Sequence, residues 1–257
     1  MAWILDLDGV VWLANTPIPG SVDAIASLRA AGERVCFATN NASQTVGDQE
    51  AKLASMGIPA EGDVLTSAMA AALLVQPGQT ALVCAGPGVD EALERRGVHT
   101  IREGDADVVV VGFHLDFDYG RLKAAHAAVL HGAQLIGTND DTTYPTPDGP
   151  IPGGGSILAA VVAATGVRPV VAGKPYPPMA ALARELAGDG PHVVVGDRPE
   201  TDGLFAVTLG APFGLVLSGV TAVGDLPVTP EPAWVSADLS SLVADRLRRP
   251  AEGDGLA

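Results

Sequence analysis

The sequence predicts an α/β fold built on a parallel sheet with right-handed crossovers, interrupted by a second α/β unit of the same kind. Three observations carry this. Apolar runs of strand length alternate with helical stretches along the chain. Glycine and proline punctuate the junctions, with 31 Gly and 20 Pro and no low-complexity run. The alternation breaks at Gln76-Pro77-Gly78-Gln79 and then restarts. Residues 79–171 therefore read as an insertion into a first unit made of residues 1–78 and 172–257.

The elements follow in order. Trp3 to Leu5 opens a strand that ends in Asp6-Leu7-Asp8-Gly9. Ser21 is expected to cap a helix with Val22, Ile25 and Leu28 on one face and Gly32 as its stop. Arg34 to Ala38 is a buried strand ending in Thr39-Asn40-Asn41, and a helix follows over about 43–56. Asp63 to Thr66 is a short strand and Ser67 to Val75 a short helix. The inserted unit has strands at 80–84, 107–112, 134–137 and 169–172, with helices at 88–96, 119–131 and 156–165. The chain then passes Gly173-Lys174-Pro175 into a helix over 178–187 and a strand over 192–195. That strand ends in Gly196-Asp197-Arg198-Pro199-Glu200-Thr201-Asp202. Strands at 214–217 and 234–235 come last, and residues 248–257 are expected to fray.

Composition excludes several classes of function. The formal net charge is −15, which opposes nucleic acid and anionic membrane as partners, since both need a positive surface. No window of 18 uninterrupted apolar residues occurs, and the first residues show no signal-peptide pattern, so a cytoplasmic protein is expected. Cys36 and Cys84 sit in apolar strand runs and read as buried thiols of a reducing compartment. The five histidines form no zinc-binding pattern.

Four polar clusters follow strands or turns: Asp6 with Asp8, Thr39-Asn40-Asn41, Lys174, and Asp197 with Asp202. Residues i and i+2 of an extended chain point the same way, so Asp6 and Asp8 are able to face one site. In open α/β sheets ligands bind beyond the C-terminal ends of the strands. An anion-binding Thr/Asn group, one of only three lysines, and up to four carboxylates suit phosphoryl transfer, where negative charge needs a metal, a cation and hydrogen-bond donors. A carboxylate is also able to serve as the covalent nucleophile.

With these four clusters in this order, the chain resembles the haloacid dehalogenase superfamily of phosphohydrolases. The likeness is to the subgroup typified by the N-acetylglucosamine-6-phosphate, p-nitrophenyl-phosphate and phosphoglycolate phosphatases. It rests on Asp6-Leu7-Asp8-Gly9-Val10-Val11-Trp12, Thr39-Asn40-Asn41, Gly173-Lys174-Pro175 and Gly196-Asp197-Arg198-Pro199-Glu200-Thr201-Asp202. Thr138-Asn139-Asp140-Asp141 and Pro152-Gly153-Gly154-Gly155-Ser156 match stretches of that subgroup's large cap. The resemblance implies a Rossmann-like core (1–78 and 172–257) with an inserted α/β cap (79–171). It implies Asp6 as nucleophile and Asp8 as general acid/base. It implies Mg²⁺ held by Asp6, the main-chain carbonyl of Asp8, and Asp197, with Asp202 behind them or reached through water. Thr39, Asn40, Asn41 and Lys174 would bind the phosphoryl group of a small-molecule phosphate ester, and a homodimer would form through the cap.

Two positions in the fourth motif depart from the family pattern. Gly203 stands where an aliphatic residue is usual, and a looser turn is expected there; Pro199 stands where Leu or another apolar residue is often found. His114 and Leu115 stand in the cap where relatives often carry charge, which bears on substrate preference. The alternative readings are a phosphometabolite-binding protein without turnover and a signalling protein of the same fold. The adjacent acidic pair and single small domain usual in signalling receivers do not fit an inserted cap.

Overall fold

The computed structural model describes residues 1–14, 16–146 and 149–248. The expected fraying tail beyond residue 248 lies outside these, as do residues 147 and 148 of the Pro/Gly-rich stretch.

In chain order the elements are β1 (Ala2–Leu5), β2 (Trp12–Leu13), β3 (Thr16–Pro17), α1 (Ser21–Ala30), β4 (Arg34–Thr39), α2 (Val46–Ser55), β5 (Val64–Thr66) and α3 (Ser67–Ala72). Then come β6 (Thr80–Cys84), α4 (Pro87–Glu94), β7 (His99–Ile101), β8 (Val108–Val111), α5 (Tyr119–Leu130), β9 (Gln134–Gly137), β10 (Thr143–Tyr144), β11 (Ile151–Pro152), α6 (Gly154–Thr165) and β12 (Val170–Val171). The last are α7 (Pro177–Ala187), β13 (His192–Gly196), α8 (Leu204–Leu209), β14 (Phe213–Val216), β15 (Trp234–Ser236) and α9 (Leu239–Arg248). One turn of π-helix, Pro199–Gly203, joins β13 to α8.

The chain divides into two compact units. The first comprises Met1–Ala38, Leu53–Asp63 and Leu186–Ala257, and the second Thr39–Lys52 and Val64–Glu185. These limits fall elsewhere than the expected segment ends. Within the second unit, Ser67, Asn139 and Lys174 each hydrogen-bond to Asn40.

The first unit contributes five strands to a parallel sheet in the order β15-β14-β13-β1-β4. Its inner strands are apolar and buried, as parallel sheets require, while the edge strand β15 is only partly covered. Every residue of β1 and β14 is buried. β1 runs between β13 and β4, with Ala2 opposite both His192 and Arg34. β2 and β3 form a separate antiparallel pair.

The second unit holds a five-stranded parallel sheet, β12-β9-β8-β6-β7, drawn from residues 80–171. Its core packs Leu82, Val109, Val111 and Leu135 against Ala125 and Val129 of α5 and Leu158 and Val161 of α6. Both units are thus parallel α/β structures, as the sequence predicts. No helix among the described residues is long and apolar enough to cross a membrane.

Ser21 does not cap α1. Gly20 occupies the cap position with φ 81°, and no side chain caps the helix. The Ser21 hydroxyl is buried and donates instead to the Val11 carbonyl at 2.9 Å. The expected looseness at Gly203 is also absent. Gly203 is buried, and a Cβ there would lie 2.9 Å from the Pro230 ring and 3.1 Å from the edge of Phe213. The missing side chain is replaced by close packing of two rings.

Candidate active site

The acidic part of the site is built in the first unit, at the ends of two neighbouring strands. β1 stops at Leu5, but the Asp6 N–H still donates to the Val195 carbonyl at 2.9 Å, so the turn leaves the sheet under control. The Leu7 carbonyl then accepts from Val11 at 2.9 Å and Trp12 at 3.1 Å, and Gly9 donates back to the Trp12 carbonyl at 2.8 Å. This coil turns at Gly9 with φ 85°, a left-handed conformation that costs glycine least. A Cβ at Gly9 would also run into the Asp197 carboxylate, so glycine admits that group. The buried Trp12 donates its indole N–H to Asp8 Oδ1 at 3.0 Å and orients that carboxylate.

β13 stops at Gly196 and delivers Asp197, which is 2 % exposed. Asp197 Oδ2 accepts from the Val220 N–H at 2.6 Å, and the Asp197 carbonyl accepts from the Thr221 hydroxyl at 2.5 Å. The π turn carries Asp202 back over the strand end, where its Oδ2 accepts from the N–H groups of Asp197 at 3.2 Å and Arg198 at 3.1 Å. One carboxylate oxygen each from Asp6, Asp197 and Asp202 lie within 4.8 Å of one another. Three carboxylates so close raise each other's energy unless a cation or proton sits among them. An oxygen-only donor set of this kind fits a hard divalent cation. The Asp8 side chain does not belong to this cluster.

The second unit gathers the other expected residues around Asn40. Its Nδ2 donates to Asp141 Oδ2 at 2.9 Å and to the Lys174 carbonyl at 3.0 Å, and its Oδ1 accepts from the Lys174 N–H at 2.8 Å. Ser67 Oγ and Asn139 Nδ2 both donate to the Asn40 carbonyl, each at 2.7 Å. Thr39 Oγ1 accepts from the Asn41 N–H at 3.0 Å, and Asn41 Oδ1 accepts from the Ser43 hydroxyl at 2.6 Å. Asn41 Nδ2 donates to the Tyr144 hydroxyl at 3.4 Å. Lys174 is 3 % exposed, in contrast to the usual solvated lysine. Asn40 thus acts as a clasp between the Thr39-Asn40-Asn41 and Gly173-Lys174-Pro175 segments.

Of the eight expected residues, the structure brings Asp6, Asp197 and Asp202 together in one unit, with Asp8 on the turn between β1 and β2. It brings Thr39, Asn40, Asn41 and Lys174 together in the other. Several supporting residues escaped the sequence. Ser67 looks like an ordinary helix start, and Val220 and Thr221 lie in a loop with no motif. The polar run Ser218-Gly219-Val220-Thr221 follows strand β14, so its strand-end position was the available signal. Near this second group, Tyr176 donates its hydroxyl to Asp140, and that hydrogen bond pushes the phenol up to about 12. Burial raises both thiols, Cys84 to about 11, which leaves them inert.

Comparison with known proteins identifies the family. Residues 3–99 match the model of the haloacid dehalogenase-like hydrolase family, and residues 171–242 match a second, HAD-hydrolase-like model. A D-glycerol 3-phosphate phosphatase of Mycobacterium tuberculosis is 36 % identical over 94 % of this chain and 70 % of its own length. An acid sugar phosphatase of Staphylococcus saprophyticus is 32 % identical over 95 % of this chain and 97 % of its own. Among solved structures, the glycerol phosphate phosphatase of M. tuberculosis in complex with magnesium superposes with a TM-score of 0.88 at 34 % identity, covering 94 % of this chain and 75 % of that one. The family models, the relatives' coverage and the strand-end carboxylates agree, and the chain belongs to the haloacid dehalogenase-like hydrolases.

Proposed function

We propose that the protein is a Mg²⁺-dependent phosphatase that hydrolyses small metabolite phosphate esters through an aspartyl-phosphate. The observation that carries this is the carboxylate trio of Asp6, Asp197 and Asp202 at the ends of β1 and β13, in a chain whose relatives are phosphatases. Residues 1–78 and 172–257 are assigned as the core and 79–171 as its cap. The relatives named for glycerol 3-phosphate and sugar phosphates support a small ester as substrate. Two buried free thiols support a reducing, cytoplasmic setting, and a homodimer through the cap completes the reading.

The chemistry follows from the residues. Asp6, the Asp8 carbonyl and Asp197 would hold the cation, with Asp202 behind them. When bound, Mg²⁺ supplies positive charge that draws density from the phosphoryl oxygens. An Asp6 oxygen forms a bond to phosphorus as the ester P–O bond breaks. Asp8, oriented by the Trp12 indole, gives its proton to the departing alkoxide. The same Asp8 carboxylate then takes a proton from the water that attacks phosphorus, which releases phosphate and restores Asp6. Thr39, the Asn40 segment and the Asn41 main chain are assigned to the phosphoryl oxygens, the Asn40 side-chain amide being held by Asp141 and Lys174, and Lys174 is assigned to offset their charge.

The test is phosphate release from a panel of phosphomonoesters with Mg²⁺ and with EDTA. Release that needs the metal and disappears in Asp6→Asn is expected. Asp8→Asn is expected to lose about 10²–10⁴-fold for each proton transfer it serves. Release by Asp6→Asn at the wild-type rate would remove the covalent mechanism.

A further inference from the structure

The polar run Ser218-Gly219-Val220-Thr221 lies beyond the end of β14 and outside the four motifs that carry the family resemblance. β14 pairs with β13, and β13 with β1, so this loop follows the strand beside the pair that delivers the carboxylates. It reaches both of their turns. Ser218 Oγ donates to the Gly9 carbonyl at 2.7 Å. The Val220 N–H donates to Asp197 Oδ2 at 2.6 Å, and the Thr221 hydroxyl donates to the Asp197 carbonyl at 2.5 Å. The Thr221 N–H donates to that same carbonyl at 3.3 Å. One loop therefore grips Asp197 at its carboxylate and at its main chain.

Val220 does not anchor the loop by burial, since its side chain is 54 % exposed. The polar groups turn inward instead, and Thr221 is only 6 % exposed. The approach is as close as main chain permits. A Cβ at Gly219 would run into the Asp197 carboxylate, and one at Gly9 would lie 3.0 Å from the Gly219 Cα. These ties act against a definite force. The carboxylates of Asp6, Asp197 and Asp202 repel one another while no cation sits among them. An N–H on one Asp197 oxygen resists rotation of the carboxylate away from the other two. The grip on the Asp197 carbonyl fixes the strand end that carries it. Ser218 fixes the turn just after Asp8 in the same way.

We infer that Ser218, Val220 and Thr221 are positioning residues for the divalent cation, which hold the Asp197 carboxylate and the Asp8-Gly9 turn in place before the ion arrives. The inference rests on the assignment of Asp6, the Asp8 carbonyl and Asp197 to Mg²⁺ in the proposed function. None of the three residues touches the ion; each acts through a neighbour that does. Groups that orient the ligands of a metal in this way carry about 10–100-fold of the affinity for it.

The test is a titration of the metal-free full chain with Mn²⁺, reading the free ion by electron paramagnetic resonance, followed by displacement with Mg²⁺. Mn²⁺ suits the same oxygen donors. Asp6→Asn marks the binding that belongs to this site. Thr221→Val keeps the shape and removes the hydroxyl, and its dissociation constant for Mn²⁺ is expected to rise about 10–100-fold. Thr221→Ser loses the methyl but keeps the hydroxyl, and should restore most of the affinity, which a packing role would not allow. Ser218→Ala should weaken binding in the same direction. Urea unfolding in EDTA shows which variants are folded. A folded Thr221→Val or Ser218→Ala with the wild-type dissociation constant overturns the inference, and so does a Thr221→Ser as weak as Thr221→Val. Should Thr221→Val not fold, Ser218→Ala decides. Wild-type binding that persists in Asp6→Asn overturns the inference together with the metal assignment. Phosphate release is measured separately, so a chain that binds the ion here and releases nothing would lose the phosphatase reading and keep this one.

Discussion

A methyl group at Gly203 would meet the Pro230 ring and the edge of Phe213 at once. Neither neighbour is the free end of a flexible chain, so the strain has no cheap outlet. Overpacking of this kind costs about 1–3 kcal/mol. Gly203→Ala is expected to lower the unfolding free energy by that amount, read as a lower urea midpoint at unchanged slope. A second residue-scale expectation concerns pH. Burial is the main cause that lowers the His114 pKa from its ordinary value of 6.5; Arg121 and Arg102 add to the effect, while the Gly112 carbonyl and Asp116 oppose it. A ring that resists protonation in the folded state takes up its proton more readily once unfolded. The stability it supports is therefore complete above pH 6.5 and declines as pH falls from 6.5 toward the folded value. Unfolding curves between pH 7.5 and 5 should show a steeper loss in the wild type than in His114→Phe.

Among the elements, α5 owes its start to one side chain. Asp118 Oδ1 accepts from the Arg121 N–H at 2.8 Å and is the cap of that helix. Asp118→Ala is expected to cost about 0.5–2 kcal/mol in chemical denaturation, because an orphan N–H then has only water. Elements of this kind also show where sequence reasoning holds and where it ends. Long apolar runs such as Val108–Val111 have one plausible fate, and the central strands were read within a residue or two. Two-residue strands such as β10 and β11 are too short to carry a period. α9 went unread because Ser240 and Ser241 dilute its pattern. Its signal was present in Leu239, Leu242 and Val243 on one buried face and in Asp238, which accepts from the Ser241 N–H at 2.7 Å. The same contrast holds at the site. Asp6, Asp8 and Asp197 stand beside strand ends and were visible in sequence. Ser67 and Thr221 support the site from segments whose approach depends on tertiary structure.

At the scale of the whole molecule, charge sets how an anionic ester arrives. A net charge of −15 repels a phosphate dianion before any local donor acts on it. Salt shortens the reach of that field, from about 30 Å at 0.01 M to about 8 Å at 0.15 M. For the proposed phosphatase, kcat/KM with a small dianionic ester should therefore rise with ionic strength at subsaturating substrate. Initial rates across a salt series with a neutral-salt control for Mg²⁺ saturation would show it. A fall would mean that a positive local field governs the encounter.

The position of β1 has a further consequence. This strand lies between β4 and β13, and the second neighbour comes about 190 residues later in the chain. A ribosome adding about 5–20 residues per second needs roughly 10–40 s to span that interval. Through that time one edge of a fully apolar strand has no partner from its own sheet. Synthesis of this protein thus includes a waiting period in which chaperones have the most to protect, and Asp6 and Asp197 meet only after it ends.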